Sequence, residues 1–531
     1  MIRDSERLRE KFDLLVIGGG IYGAWTAYDA ALRGLRVAII DKGDWGSGTS
    51  SASSKLIHGG LRYLEQFRFG LVRRSLAERR RLFELAPHRV RPLRFLMPVY
   101  RNGRVGPLRL KLGLTLYDKL AGNRQPVGPH TAMSRDEIIE RFPFLEREAL
   151  RSGFTYGDCQ MDDHRFVLEI IAGAVSSGAV AVNYAEADEL LTSAGRVAGA
   201  RVRDCQTNDT FEVRASLVVN TAGPWAAALR VDSTPAPEIR LIKGVHLVLP
   251  ALPTHHALLV MTRGGRVFFV LPWYGRTLLG TTDSDFTGDP DQVSVEESDV
   301  TYLLDEVNRV LGSTSWSPSD VLGGFAGTRA LRKRHGGPAH LVSREWSLQQ
   351  PARGYLVSIG GKFTSARADA ACIVDRVAGA LNKPGRCRTA SEPFPWSPGS
   401  AGVRQYDVWK QVALSEGTRA GLDPETAGTA VERFGTSITN LLSRIEADAA
   451  LAGRLVPEAP FCKAEIVHAA EHEMAFHLDD LLRRRLPLLI LTRLERRTLE
   501  EAAALAAPVL HWSPERCRLE VDAVAKKWNL S

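Results

Sequence analysis

The chain has 531 residues, 44% of them hydrophobic and 24% charged, which is long enough for two or three domains and too apolar for a disordered protein. Its net charge of +8 is unevenly placed, with fourteen Arg or Lys against three Glu in residues 62–111, so the remainder is slightly acidic; such a block reads as a solvated face or an internal ion-pair reservoir. The six cysteines, at 159, 205, 372, 387, 462 and 517, form no CxxC pair; no metal site or disulfide framework is expected, and the setting reads as reducing and cytosolic.

Residues 1–13 are charged throughout and read as neither a signal nor a transit peptide. No apolar run approaches the roughly 20 residues needed to cross a bilayer. Residues 13–41 then predict strand, turn, helix and strand, a complete βαβ unit. Gly18, Gly20 and Gly23 stand as G-x-G-x-x-G between the first strand and the helix, and Asp41 closes the second strand. In that context the first glycine permits a tight turn, the second lets a pyrophosphate approach amides at a helix N-terminus, and the third allows close helix packing. Asp41 would accept ribose hydroxyls, which favours FAD or NAD over NADP.

The next stretch, SSASSKLIHGGLRYLE from Ser50, is too polar and glycine-rich for core. A helix follows over GLVRRSLAERRRLFEL, with Val72, Leu76 and Phe83 on one side, arginines around the rest and Pro87 ending it. HRFVLEIIAGAVSSGA predicts a second amphipathic helix, followed by a strand, a hairpin and the buried-type strand SLVVN. Residues 246–282 alternate short apolar runs with turns, as an antiparallel sheet would. GYLVSIGG and the residues after it return to strand, glycine turn and long helix. The crowding of Pro, Ser and Gly at residues 391–402 predicts a linker between an oxidoreductase region, 1–390, and a helical C-terminal domain, 403–531.

An NAD enzyme would continue with further βαβ units, whereas here a serine-rich loop, an antiparallel layer and a late return strand intervene, an order that suits an extended flavin. GGKFTS at Gly360 is not a P-loop, because Phe363 follows Lys362. Its amides could instead stabilise charge on the edge of a reduced flavin.

These motifs carry a resemblance. GGGIYGA at Gly18, SSASSKLIHGGLRYLE at Ser50, YGDCQMDDHRFVL at Tyr156, NTAGPW at Asn220, RLIKGVHLVLP at Arg240, FVLPW at Phe269, GTTD at Gly280, GTRAL at Gly327, GGKFTS at Gly360 and LDDLLRRRLPL at Leu478 occur in order. Together they resemble the FAD-dependent, quinone-linked glycerol-3-phosphate dehydrogenases. The resemblance implies an α/β fold: a glutathione-reductase-like FAD-binding Rossmann domain, an antiparallel substrate-binding sheet and a C-terminal α-helical domain.

It also implies oxidation of sn-glycerol 3-phosphate to dihydroxyacetone phosphate by hydride transfer to FAD, reoxidation by a membrane quinone, peripheral attachment to the inner face of the cytoplasmic membrane, and a homodimer. It places Arg62, Tyr63, His246, Arg329 and Lys362 in the substrate pocket, with Arg329 beside the reacting hydroxyl and His246 a candidate base. Ala330 stands where the family has Pro. Expected around the cofactor are Gly18, Gly20, Gly23, Asp41, Thr49, Ser50, Ser53, Ser54, Lys55, His58, Gly60, Gly223, Gly361, Lys362 and Thr364. Asp158, Asp162 and Asp163 are read as structural, since carboxylates would repel a phosphate.

The basic segment, with Phe67, Phe69, Phe95 and Leu96 among its arginines, is the expected contact with an anionic membrane. No nucleic-acid recognition motif accompanies that charge. The competing readings are an oxidase that reduces oxygen and a flavoenzyme acting on a 2-hydroxy acid or amino acid.

Overall fold

The computed structural model describes all residues except 102, 124, 232–233, 235–236, 262–265, 313, 334–343, 400–402 and 531. Strand Lys11–Ile17 is buried at every position after Lys11 and lies in parallel between Val37–Ile40 and Thr210–Asn220. Val180–Val182 and Tyr355–Ile359 extend this parallel array at its two sides. Strands covered on both faces need nearly continuous apolar runs, which LLVI and VAII supply. Helices Ile21–Leu32, Asp163–Ser176 and Ala366–Ala380 share one core with the array, and the hairpin of Ala185–Ser193 and Arg196–Asp204 shares another.

The second sheet has ten strands and carries the expected antiparallel layer. Ile239–Pro250 pairs antiparallel with Arg276–Gly280, Ser284–Phe286 and Gly323–Arg332. The sheet continues through Val267–Trp273, Ala257–Met261, Arg91–Tyr100 and Leu150–Gln160. The last two come from between the halves of the first sheet, so the chain crosses repeatedly between sheets and leaves a cleft where they meet.

The C-terminal helices pack both on this sheet and among themselves. Leu478, Leu481, Leu482, Leu488 and Ile490 join one buried cluster with Phe95, Trp273, Leu278 and Phe325. A second cluster, built around Ala427, Val431, Phe434 and Leu441, is the helices' own. The described part of the expected linker is likewise packed: Phe394 lies 5.4 Å from the Trp25 ring and 5.0 Å from that of Phe166, and the Trp396 amide donates to Glu169 at 2.8 Å. Residues 400–402 of that linker lie outside the described residues.

The arginine-rich segment divides between internal ion pairs and surface. In helix Phe69–Leu85, Val72 and Leu76 point into the core as expected, whereas Phe83 is only half-buried. Arg79 is buried against Asp158 at 2.5 Å, and Arg89 against Glu169 at 2.5 Å. Phe95 and Leu96 are fully buried, so they belong to no surface. The large apolar side chains left exposed around this segment are Phe67, Phe69, Leu108 and Leu112.

Candidate functional site

The cleft between the two sheets has a cavity volume of about 270 Å³. One end is built by the first glycine turn. Gly18 has φ +101°, and a Cβ there would lie 2.8 Å from the Thr221 carbonyl carbon. A Cβ on Gly23 would sit 1.8 Å from the Gly18 oxygen, so that glycine lets the helix close onto the turn. Gly20 is extended and lines the cleft with Ile21 and Tyr22, which aims the N-terminus of helix Ile21–Leu32 into it. The Ser50 hydroxyl accepts from the Ile21 amide at 2.9 Å. Asp41, just beyond strand Val37–Ile40, accepts from the Gly19 and Gly43 amides at 2.6 and 2.9 Å; burial pushes its carboxyl up to about 6.

The loop that follows runs along the cleft. Thr49 bonds the Thr328 carbonyl at 2.5 Å, and Ser54 meets His246 Nε2 at 2.9 Å. Ser53 turns to Asp163, which it reaches at 2.8 Å. Lys55 does not line the cleft: its ammonium is buried 2.6 Å from Asp163 and lies over the Trp273 ring at 4.8 Å. The loop therefore divides, with its serines partly on the cleft and its lysine in the core. His58 does line the cleft, its amide donating to the Thr364 hydroxyl at 3.1 Å; burial, with Lys362 and Arg62 nearby, lowers its imidazole to about 3.

Gly60, at φ +79°, then starts a short 3₁₀ turn, Leu61–Leu64. On a strand Arg62 and Tyr63 would face opposite ways. In this turn both line the cleft, and the Arg62 guanidinium donates to the Tyr63 hydroxyl at 3.3 Å.

At the other end, Gly360 and Gly361 have φ of +75° and +96° and lead into helix Ala366–Ala380. A Cβ on Gly361 would meet the Tyr22 hydroxyl at 1.7 Å. That hydroxyl accepts from the Lys362 amide at 3.1 Å and donates to Asp369 at 2.7 Å, tying the two glycine turns together. Lys362 Nζ lies 3.9 Å from the centre of the Tyr63 ring and is buried without a hydrogen-bond partner among the described residues. Burial brings it down to about 8 despite the pull of Tyr63, with repulsion from Arg344 and Arg62 adding to the effect.

Arg329, on strand Gly323–Arg332, donates to Asp283 at 2.7 Å and to the Thr281 hydroxyl at 3.0 Å. Ala330 continues the pairing with Leu241, so the strand runs on past the position where the family has proline. Asp283 is the hub of the pocket, taking Arg344 at 3.1 Å and Arg62 at 3.9 Å as well. Burial would raise its carboxyl, but Arg344, Arg329 and Arg62 hold it below the usual range.

Sequence reasoning missed Arg344. It is brought into the cleft from just before strand Ser347–Ala352, and burial brings it down to about 10. Three arginines thus share one carboxylate, and Lys362 lines the same cleft. Their collective field acts on Tyr63: burial would raise the phenol, but Arg344, Arg62 and Lys362 together draw it down to about 7.

His246 is placed differently from a base exposed to substrate. It is buried behind Ser54, stacked on Phe325 at 5.0 Å, and burial with Arg329 and Lys55 nearby holds it neutral, well below the ordinary imidazole range. The three aspartates are internal. Asp158 takes Arg79 and Tyr117, Asp162 caps helix Asp163–Ser176 and pairs with Arg433 at 3.1 Å, and Asp163 holds Lys55.

Comparison with known proteins follows this geometry. Residues 13–368 match the family described as FAD dependent oxidoreductase, and residues 387–517 match the C-terminal domain of alpha-glycerophosphate oxidase. Glycerol-3-phosphate dehydrogenase 2 of Mycobacterium tuberculosis (strain ATCC 25618 / H37Rv) is 35% identical over 513 residues, covering 95% of this chain and 86% of the relative. The chain belongs to the FAD-dependent glycerol-3-phosphate dehydrogenase family.

Aerobic glycerol-3-phosphate dehydrogenase of Bacillus subtilis (strain 168) is 32% identical, covering 91% of this chain and 88% of the relative. The solved glycerol-3-phosphate dehydrogenase from Bacillus halodurans, complexed with FAD, superposes with a TM-score of 0.82 at 27% identity, covering 99% of this chain and 96% of that one. Glycine oxidase from Geobacillus kaustophilus, at 22% identity and a TM-score of 0.53 over 70% of this chain and 95% of that one, shares the fold.

The cleft fits the family's cofactor on its own chemistry. It offers a helix N-terminus behind a glycine turn, open ground at Gly223, and, beside the second glycine turn, a buried ammonium without a hydrogen-bond partner among the described residues; the Asp41 carboxylate stands just behind this lining, on the Gly19 amide.

Proposed function

We propose that this enzyme oxidises sn-glycerol 3-phosphate to dihydroxyacetone phosphate and passes the electrons to a membrane quinone. The observation that carries the reading is the set of four cations, Arg62, Arg329, Arg344 and Lys362, lining the cleft against one carboxylate, Asp283. Half-buried cations in such excess call for an anion, and a phosphate monoester supplies two charges and several acceptor oxygens. A 2-hydroxy acid or amino acid would leave more of that charge uncompensated.

FAD, when bound, supplies the two-electron acceptor. The Gly18–Gly20–Gly23 turn would hold its pyrophosphate and Asp41 its ribose. Ser50, Gly223 and Gly361 to Thr364 would border the rest, with Ser54, which meets His246, at the boundary between cofactor and substrate. Arg62 and Arg344 would take the phosphate. Arg329, held by Asp283 and Thr281, would sit beside the reacting hydroxyl and favour its oxyanion character. Tyr63 is the group whose proton affinity suits accepting the hydroxyl proton near neutral pH. Lys362 would serve the substrate and the cofactor edge together.

The reading is tested by anaerobic addition of sn-glycerol 3-phosphate to the holoprotein. Flavin absorbance near its visible maximum should bleach completely, and lactate or glycine should leave it unchanged. Reoxidation by a quinone analogue without peroxide supports the quinone route. Stoichiometric peroxide in air would instead make the enzyme an oxidase.

Membrane contact is proposed for a narrower surface than the whole basic segment. Phe67 is 78% exposed, Leu108 72% and Leu112 64%, with Phe69 and the exposed Arg73, Arg74, Arg109 and Lys111 around them. These lie on helix Phe69–Leu85, on helix Pro107–Ala121, and in the turn that follows the cleft residues Arg62 and Tyr63. No helix among the described residues is long and apolar enough to cross a membrane, so the contact would be interfacial. Replacing Phe67 and Leu108 together by Ser should weaken binding to anionic vesicles about tenfold or more, with bleaching by substrate retained. Unchanged sedimentation with vesicles would rule this surface out.

A further inference from the structure

The LDDLLRRRLPL stretch takes no direct part in the cleft described above, yet Asp480, Arg483, Arg484 and Arg485 are buried. Asp480–Arg485 forms a wide π-type turn closed by the Leu486 amide on the Leu481 carbonyl at 2.7 Å. Such turns are rare and concentrate at functional places. Here three consecutive arginines leave the turn in different directions.

Two of them seize Asp44. Arg485 reaches its oxygens at 2.7 and 2.9 Å and Arg484 at 2.6 Å, all buried. Asp44 lies three residues after Asp41. The next residue, Trp45, is fully buried with its indole N–H on Met474 Sδ at 3.4 Å. The Trp45 ring packs so closely on the first glycine turn that a Cβ on Gly19 would lie 2.3 Å from it. The Gly46 amide also donates to the Gly19 carbonyl at 3.1 Å. The C-terminal helices therefore hold, through Asp44 and Trp45, the loop that braces the glycine turn and Asp41.

The third arginine points toward the opposite end. The Arg483 guanidinium lies 5.2 Å from the centre of the Phe325 ring, and that ring stacks on His246, whose Nε2 meets Ser54. Lys55 approaches the same Phe325 ring at 5.1 Å.

We propose that the Asp480–Arg485 turn is the positioning element of the cleft: Arg485 and Arg484 set the nucleotide end through Asp44, while Arg483 sets the substrate end through Phe325 and His246. The helical domain is then part of the cofactor site's construction. This inference rests on the cofactor and substrate reading above, and its two arms separate the two ends.

The test compares holoproteins carrying Arg485→Lys, Asp44→Asn or Arg483→Gln. Arg485→Lys keeps the charge and loses the paired fork to Asp44. Asp44→Asn frees the loop while Arg485 keeps Glu473 and His164 and Arg484 keeps Asp480, so it guards against simple failure to fold. FAD release is read from the rise in flavin fluorescence on dilution, and substrate KM from flavin reduction at saturating FAD.

The first two variants should release FAD about tenfold faster with substrate KM within about twofold of wild type. Arg483→Gln should leave FAD release unchanged and raise KM about tenfold. The proposal is overturned if Asp44→Asn and Arg485→Lys both retain FAD as wild type does, or if every variant shifts both quantities together in step with its melting temperature. Failure of wild-type flavin to bleach would sink the substrate reading while leaving the FAD-release comparison intact.

Discussion

Replacing Arg329 by Met is expected to lower kcat/KM for glycerol 3-phosphate by about 10²- to 10³-fold, equivalent to about 2.7–4 kcal/mol of lost transition-state stabilisation. Two features make the effect this large. The guanidinium is fixed on both sides, by Asp283 at 2.7 Å and Thr281 at 3.0 Å, so its remaining donors are organised before substrate arrives. It also stands in a partly buried cleft, where a charge facing a developing oxyanion is worth more than in water. The protein itself should tolerate the change, because Asp283 keeps Arg344 at 3.1 Å and Arg62 at 3.9 Å.

Arg329→Lys should recover only part of the loss, since an ammonium cannot hold Asp283 and Thr281 while facing the substrate as the guanidinium does. Rapid-mixing measurement of flavin reduction under anaerobic conditions separates the parameters. A fall in the limiting reduction rate supports a role beside the reacting hydroxyl. A rise in KM alone would reassign Arg329 to phosphate binding.

The parts of the site that local pattern encodes were legible in the sequence. G-x-G-x-x-G between two apolar runs leaves few alternatives once Asp41 closes the second strand, and the structure puts Gly18, Gly20 and Gly23 where a turn, an approach and a helix contact need them. Arg62 with Tyr63 depended on an irregular backbone, and the positive φ of Gly60 provides it.

What stayed hidden was set by partners far along the chain. A run of arginines reads equally as a solvated face or as internal ion pairs, and only the partners decide: Asp158 and Glu169 enter from about eighty residues away and make Arg79 and Arg89 core. Lys55 sits in a loop that faces the cleft, yet Asp163 draws it inward. Arg344 has no periodicity or motif around it, and only the meeting of the two sheets makes it a pocket residue. The linker, read from Pro, Ser and Gly content, hides Phe394 and Trp396, whose aromatic rings find a core that composition does not reveal.

The pH profile of kcat/KM should be a narrow bell, and its two limbs can be assigned with their signs. Tyr63 must give up its proton before it can accept one from the substrate hydroxyl, so activity should rise as pH passes about 7. Lys362 is useful to an anionic substrate only while charged, so activity should fall, by up to tenfold per pH unit, as pH passes about 8. kcat/KM reports the free enzyme and the free substrate, and the phosphate monoester's own second ionisation, at about pH 6, lies below both limbs.

The limbs lie close together and the groups face one another at 3.9 Å, so the observed values belong to the coupled pair. Lys362→Arg keeps the charge at high pH and should remove the falling limb. Lys362→Gln should cost about 10²-fold at the optimum, in line with the about 1.5–3 kcal/mol of a charge-assisted contact. Tyr63→Phe should remove the rising limb and lower the plateau by about 10²- to 10⁴-fold, the usual yield of general-base catalysis. A Tyr63→Phe enzyme that kept the rising limb would assign the proton to another group.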